Sequence, residues 1–97
     1  MWNYEYYVYI TTNPDKTVLY IGVTNDIERR LSEHYENKGK KASFAGRYFC
    51  YNLIWFECFS DINEAIMREK EIKGWRRSKK EILIVRTNPN WHTIIFK

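Results

Sequence analysis

Cysteine is scarce in this chain of 97 residues, and the two present, Cys50 and Cys58, form no CxxC pair. A disulfide framework therefore lacks support, and the default setting is intracellular, reducing and cytoplasmic. Adding His34 and His92 does not produce the ligand-pair spacing of a zinc site. These residues read instead as two buried free thiols, an imidazole on a helix flank and another near the tail. No apolar run approaches the ~20 residues of a membrane span. The opening MWNYEYYVYI lacks the charged start and cleavage site of a signal peptide. Neither a Cys-His nor a Ser-His nucleophile motif is present, and no internal repeat, linker or second domain is visible. One domain over residues 1–97 is the expectation, acting as a monomer and away from membranes.

What is present is a hydrophobic content of 44%, enough for one modest core, and an aromatic content of 18%. The aromatics suit the core of a small sheet protein. A formal net charge of +4 makes the surface mildly basic and compatible with a polyanion such as nucleic acid.

Tyr4 to Thr11 and Val18 to Val23 read as two strands with alternating faces, joined by a turn at Thr12-Asn13-Pro14-Asp15-Lys16-Thr17. Tyr7 and Tyr9 share one face of the first strand; Tyr20 and Gly22 share one face of the second, and register decides whether these faces coincide. A helix follows over about Asp26 to Tyr35, with Asn25 as cap, Glu28 completing a capping box, and Ile27, Leu31 and Tyr35 as its apolar stripe. Arg29 points opposite that stripe, whereas Arg30 lies on its flank, one turn before His34. Glu36 to Arg47 reads as a basic loop. Asn52 to Phe59 is nearly continuous in apolar residues and reads as a central strand buried on both faces. A second helix runs from Asp61 to about Gly74 with the stripe Ile62, Ala65, Ile66 and Ile72. Glu69 falls within that stripe, which requires an ion pair with Arg30 or a neighbouring lysine, or a metal. Ser78 to Thr87 reads as a short helix capped by Ser78 and ended by Asn88-Pro89, with the tail packing through Trp91 and Ile95. The expected fold is α+β: a three-stranded, mainly antiparallel sheet flanked by helices in the order ββαβαα.

Tyr7-Val8-Tyr9 followed by Tyr20-Ile21-Gly22, then Arg30 and the helical Glu69, resembles the signature of the GIY-YIG nuclease superfamily. The resemblance extends over roughly Tyr6 to Trp91 and is closest to small bacterial stand-alone members. It implies a metal-dependent endonuclease hydrolysing DNA phosphodiester bonds, structure-selective and related to repair or recombination. Tyr9 and Tyr20 would match the two motif tyrosines, one of them activating or orienting the attacking water. Arg30 would stabilise charge on the phosphate, Glu69 would hold one Mg²⁺ or Mn²⁺, and Tyr48 would match an additional Tyr or His of the family. Tyr7 stands where the first triplet has glycine, and Val23 follows the second triplet where some relatives carry a lysine. The family's C-terminal asparagine would correspond to Asn88 or Asn90.

The chemistry supports these roles separately. An arginine fork and a cation both stabilise an anionic transition state, and a hard hydrated cation needs only one or two protein carboxylates. Tyrosine is a weak base unless nearby positive charge lowers its pKa. Gly22 would let a phosphate backbone approach the sheet, or would mark a bulge or strand end. Lys40, Lys41, Arg47, Lys73, Arg76 and Arg77 are candidate phosphate contacts, and Trp75 a candidate for stacking on a base, against the alternative of a solvated helix face with Trp75 in the core. The competing function is a nucleic-acid-binding module with little or no cleavage.

Overall fold

The computed structural model describes residues 5–96; the expected strand start at Tyr4 lies outside them. Strands β1 (Tyr6–Thr12) and β2 (Leu19–Thr24) form an antiparallel hairpin. Asn13 shapes its turn, its Oδ1 accepting hydrogen bonds from the Thr17 and Val18 amides, both at 2.9 Å. The register sets Tyr9 opposite Gly22 and Thr11 opposite Tyr20, so the two tyrosine-bearing faces are one face.

Strand β3 (Asn52–Phe59) pairs antiparallel with β1, giving the strand order β2-β1-β3. This corrects the expectation of a central third strand: β1 is central and β3 is an edge. The apolar run in β3 has another cause. Ile10 faces Trp55 and Thr11 faces Leu53, so Ile54 is the extra residue of a β-bulge. Ile54 and Trp55 therefore enter the same core, while Leu53 enters the opposite one. Past the bulge, Phe56 and Cys58 are exposed, so of the two thiols only Cys50 is buried.

Four helices complete the chain: α1 (Ile27–Glu36), α2 (Phe44–Arg47), α3 (Ile62–Lys73) and α4 (Arg77–Thr87). The order is ββααβαα, with α2 inside the segment expected to be a plain loop. At four residues it is too short to show a hydrophobic period. Asp26, not Asn25, caps α1 by accepting from the Arg29 amide at 3.0 Å. Helix α4 has no side-chain cap at its start.

The sheet lies between helical layers. Ala65 and Ile72 of α3 and Ile84 of α4 pack with Val8, Ile10, Ile21, Ile54 and Trp55. Each aliphatic side chain buried this way contributes about 1.5–3 kcal/mol. On the other face, Ile27 and Leu31 of α1 pack with Tyr7, Tyr9, Tyr20 and Leu53. Tyr35 stays 53% exposed, and buried His34 takes the inward place its stripe offered. In the tail, Trp91 joins the first core, but Ile95 is exposed and Ile94 and Phe96 pack under the tyrosine face instead. The Ile94 amide donates to the Leu53 carbonyl at 2.7 Å, which fixes that phase. No helix of the described residues is long and apolar enough to cross a membrane.

Asn88 ties this tail down. Its Nδ2 donates to the carbonyls of bulged Ile54 (3.0 Å) and His92 (2.8 Å), and its Oδ1 accepts from the His92 amide at 3.0 Å. Asn88→Ala should cost about 1–3 kcal/mol through the carbonyls it strands. Chemical denaturation checks the loss, and accelerated hydrogen exchange at the Ile94 amide should accompany it.

Candidate active site

The site is built around an absence. Strand β2 has no side chain at Gly22, directly opposite Tyr9, and the Tyr9 ring lies in the space a side chain would fill. A Cβ there would stand 2.5 Å from the Tyr9 hydroxyl oxygen and 2.6 Å from Cζ. The glycine thus makes room for a tyrosine ring, a role distinct from the two the sequence left open, close approach of a phosphate backbone and a bulge or strand end. The ring itself is buried, with 1% of its residue surface exposed.

Its position brings the Tyr9 hydroxyl under α1, where Arg30 and His34 lie one helical turn apart. Arg30 Nε donates to Tyr9 Oη at 3.3 Å, and Tyr9 Oη lies 2.9 Å from His34 Nε2. An arginine can only donate, so the arrangement satisfying a neutral histidine has the Tyr9 O–H donating to Nε2. The imidazole proton is then assigned to Nδ1. Burial, reinforced by the Arg30 charge, holds the His34 pKa below its ordinary value and keeps the ring neutral. Burial also raises the Tyr9 pKa, outweighing the opposing effects of the Arg30 hydrogen bond and charge. Tyr9 is accordingly a protonated phenol, because the nearby positive charge does not overcome its burial. The hydrogen bond to Tyr9 in turn raises the Arg30 pKa, fixing its charge. Arg30 Nη1 also pairs with Glu33 at 3.3 Å; among the described residues Nη2 has no partner.

Tyr20 stands beside this cluster, half-buried, its ring 6.1 Å from Tyr9 and edge-on to His34 at 5.3 Å between centroids. Its other neighbour is Phe44 of α2, stacked at 6.2 Å and 26°. Tyr7 shares the face but not the cluster. Its hydroxyl donates to Glu5 at 2.6 Å, and that carboxylate pushes its pKa up to about 12.

Glu69 approaches from the opposite layer. Its side chain is 15% exposed, neither sealed in the core nor open, and it pairs with Lys73 at 3.2 Å. The ion pair is thus with a neighbouring lysine, not with Arg30. Lys73 lines a groove with Leu19, Tyr20 and Ile21 of β2 and Phe44 of α2. Both helical layers therefore meet at the β2 edge, although no hydrogen bond joins Glu69 to Tyr9, Tyr20 or Arg30 among the described residues. No group of three or more His, Cys, Asp or Glu side chains among them could hold a metal. A lone carboxylate fits a cation that keeps most of its own water, Mg²⁺ or Mn²⁺, and does not fit a fully protein-ligated ion.

The remaining candidates divide. Tyr48 packs on Phe44, with ring centroids 4.7 Å apart, one aromatic ring removed from Tyr20. Lys40, Lys41, Arg47 and Arg76 are exposed. Arg77 serves the fold instead. It donates to the Thr17 carbonyl at 2.7 Å and pairs with Glu81 at 3.0 Å, clasping the hairpin turn to α4. Arg77 is thus engaged within the fold while its side chain stays 43% exposed. Trp75 packs against the helical core, with Lys79 Nζ 4.3 Å from its ring centroid. His34 is the site residue that sequence reasoning left aside. Its signal was the four-residue spacing from Arg30, which puts both on one side of α1.

Gly22→Ala should force the Tyr9 ring off its partners and cost about 1–3 kcal/mol by overpacking. In a Tyr9→Leu background most of that cost should vanish, which a double-mutant cycle by thermal denaturation would measure. His34 adds a pH dependence of defined sign. Its folded pKa is depressed, so its contribution is complete above the ordinary value of about 6.5 and is lost as pH falls below it. The loss is at most about 1.4 kcal/mol per pH unit, and His34→Gln should flatten it.

The family model of the GIY-YIG catalytic domain matches residues 5–82. A UPF0213 protein of Haloquadratum walsbyi is 42% identical over 81 residues, covering 84% of this chain and 88% of its own. Another from Bacillus pumilus is 37% identical, covering 87% and 83% respectively. The solution NMR structure of a UPF0213 protein from Bacillus halodurans superimposes with a TM-score of 0.57 at 32% identity, covering 92% of each chain. The chain belongs to the GIY-YIG family, among its small UPF0213 proteins.

Proposed function

We propose that this protein is a metal-dependent endonuclease that hydrolyses DNA phosphodiester bonds, preferring branched, nicked or otherwise irregular DNA in repair or recombination, and working as a cytoplasmic monomer. Family membership supports the coarser statement, a nuclease-type function. The observation that carries the finer reading is the convergence of Arg30, Tyr9, Tyr20 and His34 beside an open groove at the sheet edge.

In this reading Arg30 is the phosphate-binding residue, its Nη2, unpartnered among the described residues, donating to a non-bridging oxygen. Tyr9 and His34 are positioning residues: the buried phenol accepts from Arg30 and donates to neutral imidazole, which holds the guanidinium at the groove. Tyr20, the tyrosine on the solvent side, accepts a hydrogen bond from the attacking water and aligns it with phosphorus. Glu69 would hold Mg²⁺ or Mn²⁺, which when bound supplies Lewis-acid stabilisation of the phosphate and leaving oxygen. One observation favours the binding-module reading: Lys73 already neutralises Glu69, so a cation has to compete with an ammonium for that carboxylate.

A panel of labelled duplex, flap, nicked and single-stranded DNA with Mg²⁺ or Mn²⁺ should show cleavage. Arg30→Ala and Glu69→Gln should each lower its rate by about 100-fold or more, the scale of losing one electrostatic contact to the transition state. Cleavage that survives both changes would sink the site assignment. Salt-sensitive binding without any cleavage would instead establish the binding module.

A further inference from the structure

The groove at the β2 edge continues into a partly exposed aromatic surface. Phe44 stacks on Tyr20, and Tyr48 packs on Phe44, so three rings lead outward from the proposed catalytic cluster. Phe44 is 50% exposed and Tyr48 41% exposed. Leaving a phenyl ring half in water forfeits a substantial part of the stabilisation its burial would contribute.

The rings are nevertheless held firmly. Ser43 caps α2 by accepting from the Gly46 amide at 3.1 Å, and the Gly46 carbonyl accepts from Gly39 at 2.7 Å. Gly46 itself lies so close to the end of α1 that a Cβ would stand 2.5 Å from the Asn37 carbonyl oxygen. Phe49, just beyond, carries a left-handed φ of 60°, a strained conformation for an aromatic residue that turns the chain back toward β3. A braced, exposed pair of rings is a preorganised surface.

Charge indicates what lies on it. Residues 37–50 contain four cations (Lys38, Lys40, Lys41 and Arg47) and no acid. Lys73 lines the same groove as Phe44. Flat apolar rings bordered by cations suit a ligand with planar bases on a polyanionic backbone. A base within a duplex is already stacked and presents no free face, so the occupant is an unpaired one.

We propose that Phe44 and Tyr48 form a base-stacking platform for a single-stranded segment of nucleic acid entering the site beside Tyr20. This rests on the nuclease reading for its purpose but not for its test, which needs no cleavage. Tyr48 is then a substrate-positioning residue and not a member of the catalytic cluster.

Binding by the full chain, without divalent metal, is followed by fluorescence anisotropy on labelled single-stranded oligonucleotides, their duplexes, and single strands of abasic sites. Wild type should prefer single strand to duplex, and the abasic strand should bind about 10- to 100-fold more weakly than its base-bearing counterpart. Phe44→Ala should weaken single-strand binding by the same factor and leave duplex binding unchanged; Phe44→Trp should restore it. The abasic comparison uses wild-type protein, so it decides the matter even if a variant folds poorly. Equal binding of abasic and base-bearing strands, or equal losses on both DNA forms, would overturn the platform. Base-dependent binding without cleavage would retain the platform and refute the nuclease, and cleavage with base-independent binding would do the reverse.

Discussion

The rest of the site depends on the Tyr9 hydroxyl meeting Arg30 and His34 across the space left open at Gly22. Each member constrains the others. Without the glycine a Cβ would occupy the space the ring fills. Without the ring, Arg30 keeps only its exposed pair with Glu33, worth little to stability and weakly directional. A neutral His34 is the acceptor that lets Tyr9 receive from Arg30 and still donate. Because the hydroxyl is buried, this small network acts in surroundings where an unmatched polar group is costly, which makes one arrangement strongly preferred.

The sheet turns that local preference into a site at an edge. An antiparallel order with β1 in the middle places Tyr9 on the strand paired on both sides and makes β2 an edge strand among the described residues. Helix α1 covers the tyrosine face and α3 the other, so a groove along β2 is bordered by both layers. Phe44 of α2 comes from one and Lys73, with its partner Glu69, from the other.

Much of this was legible in sequence, for identifiable reasons. Period-two and period-3.6 patterns place the strands and long helices to within a residue or two, and helical phase separates Arg30 from Arg29. The ordered set of Tyr9, Tyr20, Arg30 and Glu69 indicated the family. What was misread depends on tertiary context. The bulge at Ile54 makes an edge strand look doubly buried, since one slipped residue sends two neighbours to the same core. Helix α2 is shorter than any period. The role of Gly22 stays open between a ligand approach and a bulge because nothing in the sequence states which residue sits opposite it. His34 went unassigned because its value lies in a hydrogen bond to a strand 25 residues earlier. The contact of Arg77 with the hairpin turn is likewise set by the fold and has no local signal in the sequence.

The tail carries one more consequence. Ile94 and Phe96 support the tyrosine layer from beneath, Phe96 lying edge-on to Tyr7 at 5.3 Å, and both lie beyond the part of the chain that the family model matches. Two proteins can thus share every signature residue and still hold their tyrosines at different depths, because the floor beneath those rings comes from sequence outside the signature. Divergence in this short terminal stretch is therefore a way to retune the site while its defining residues stay fixed.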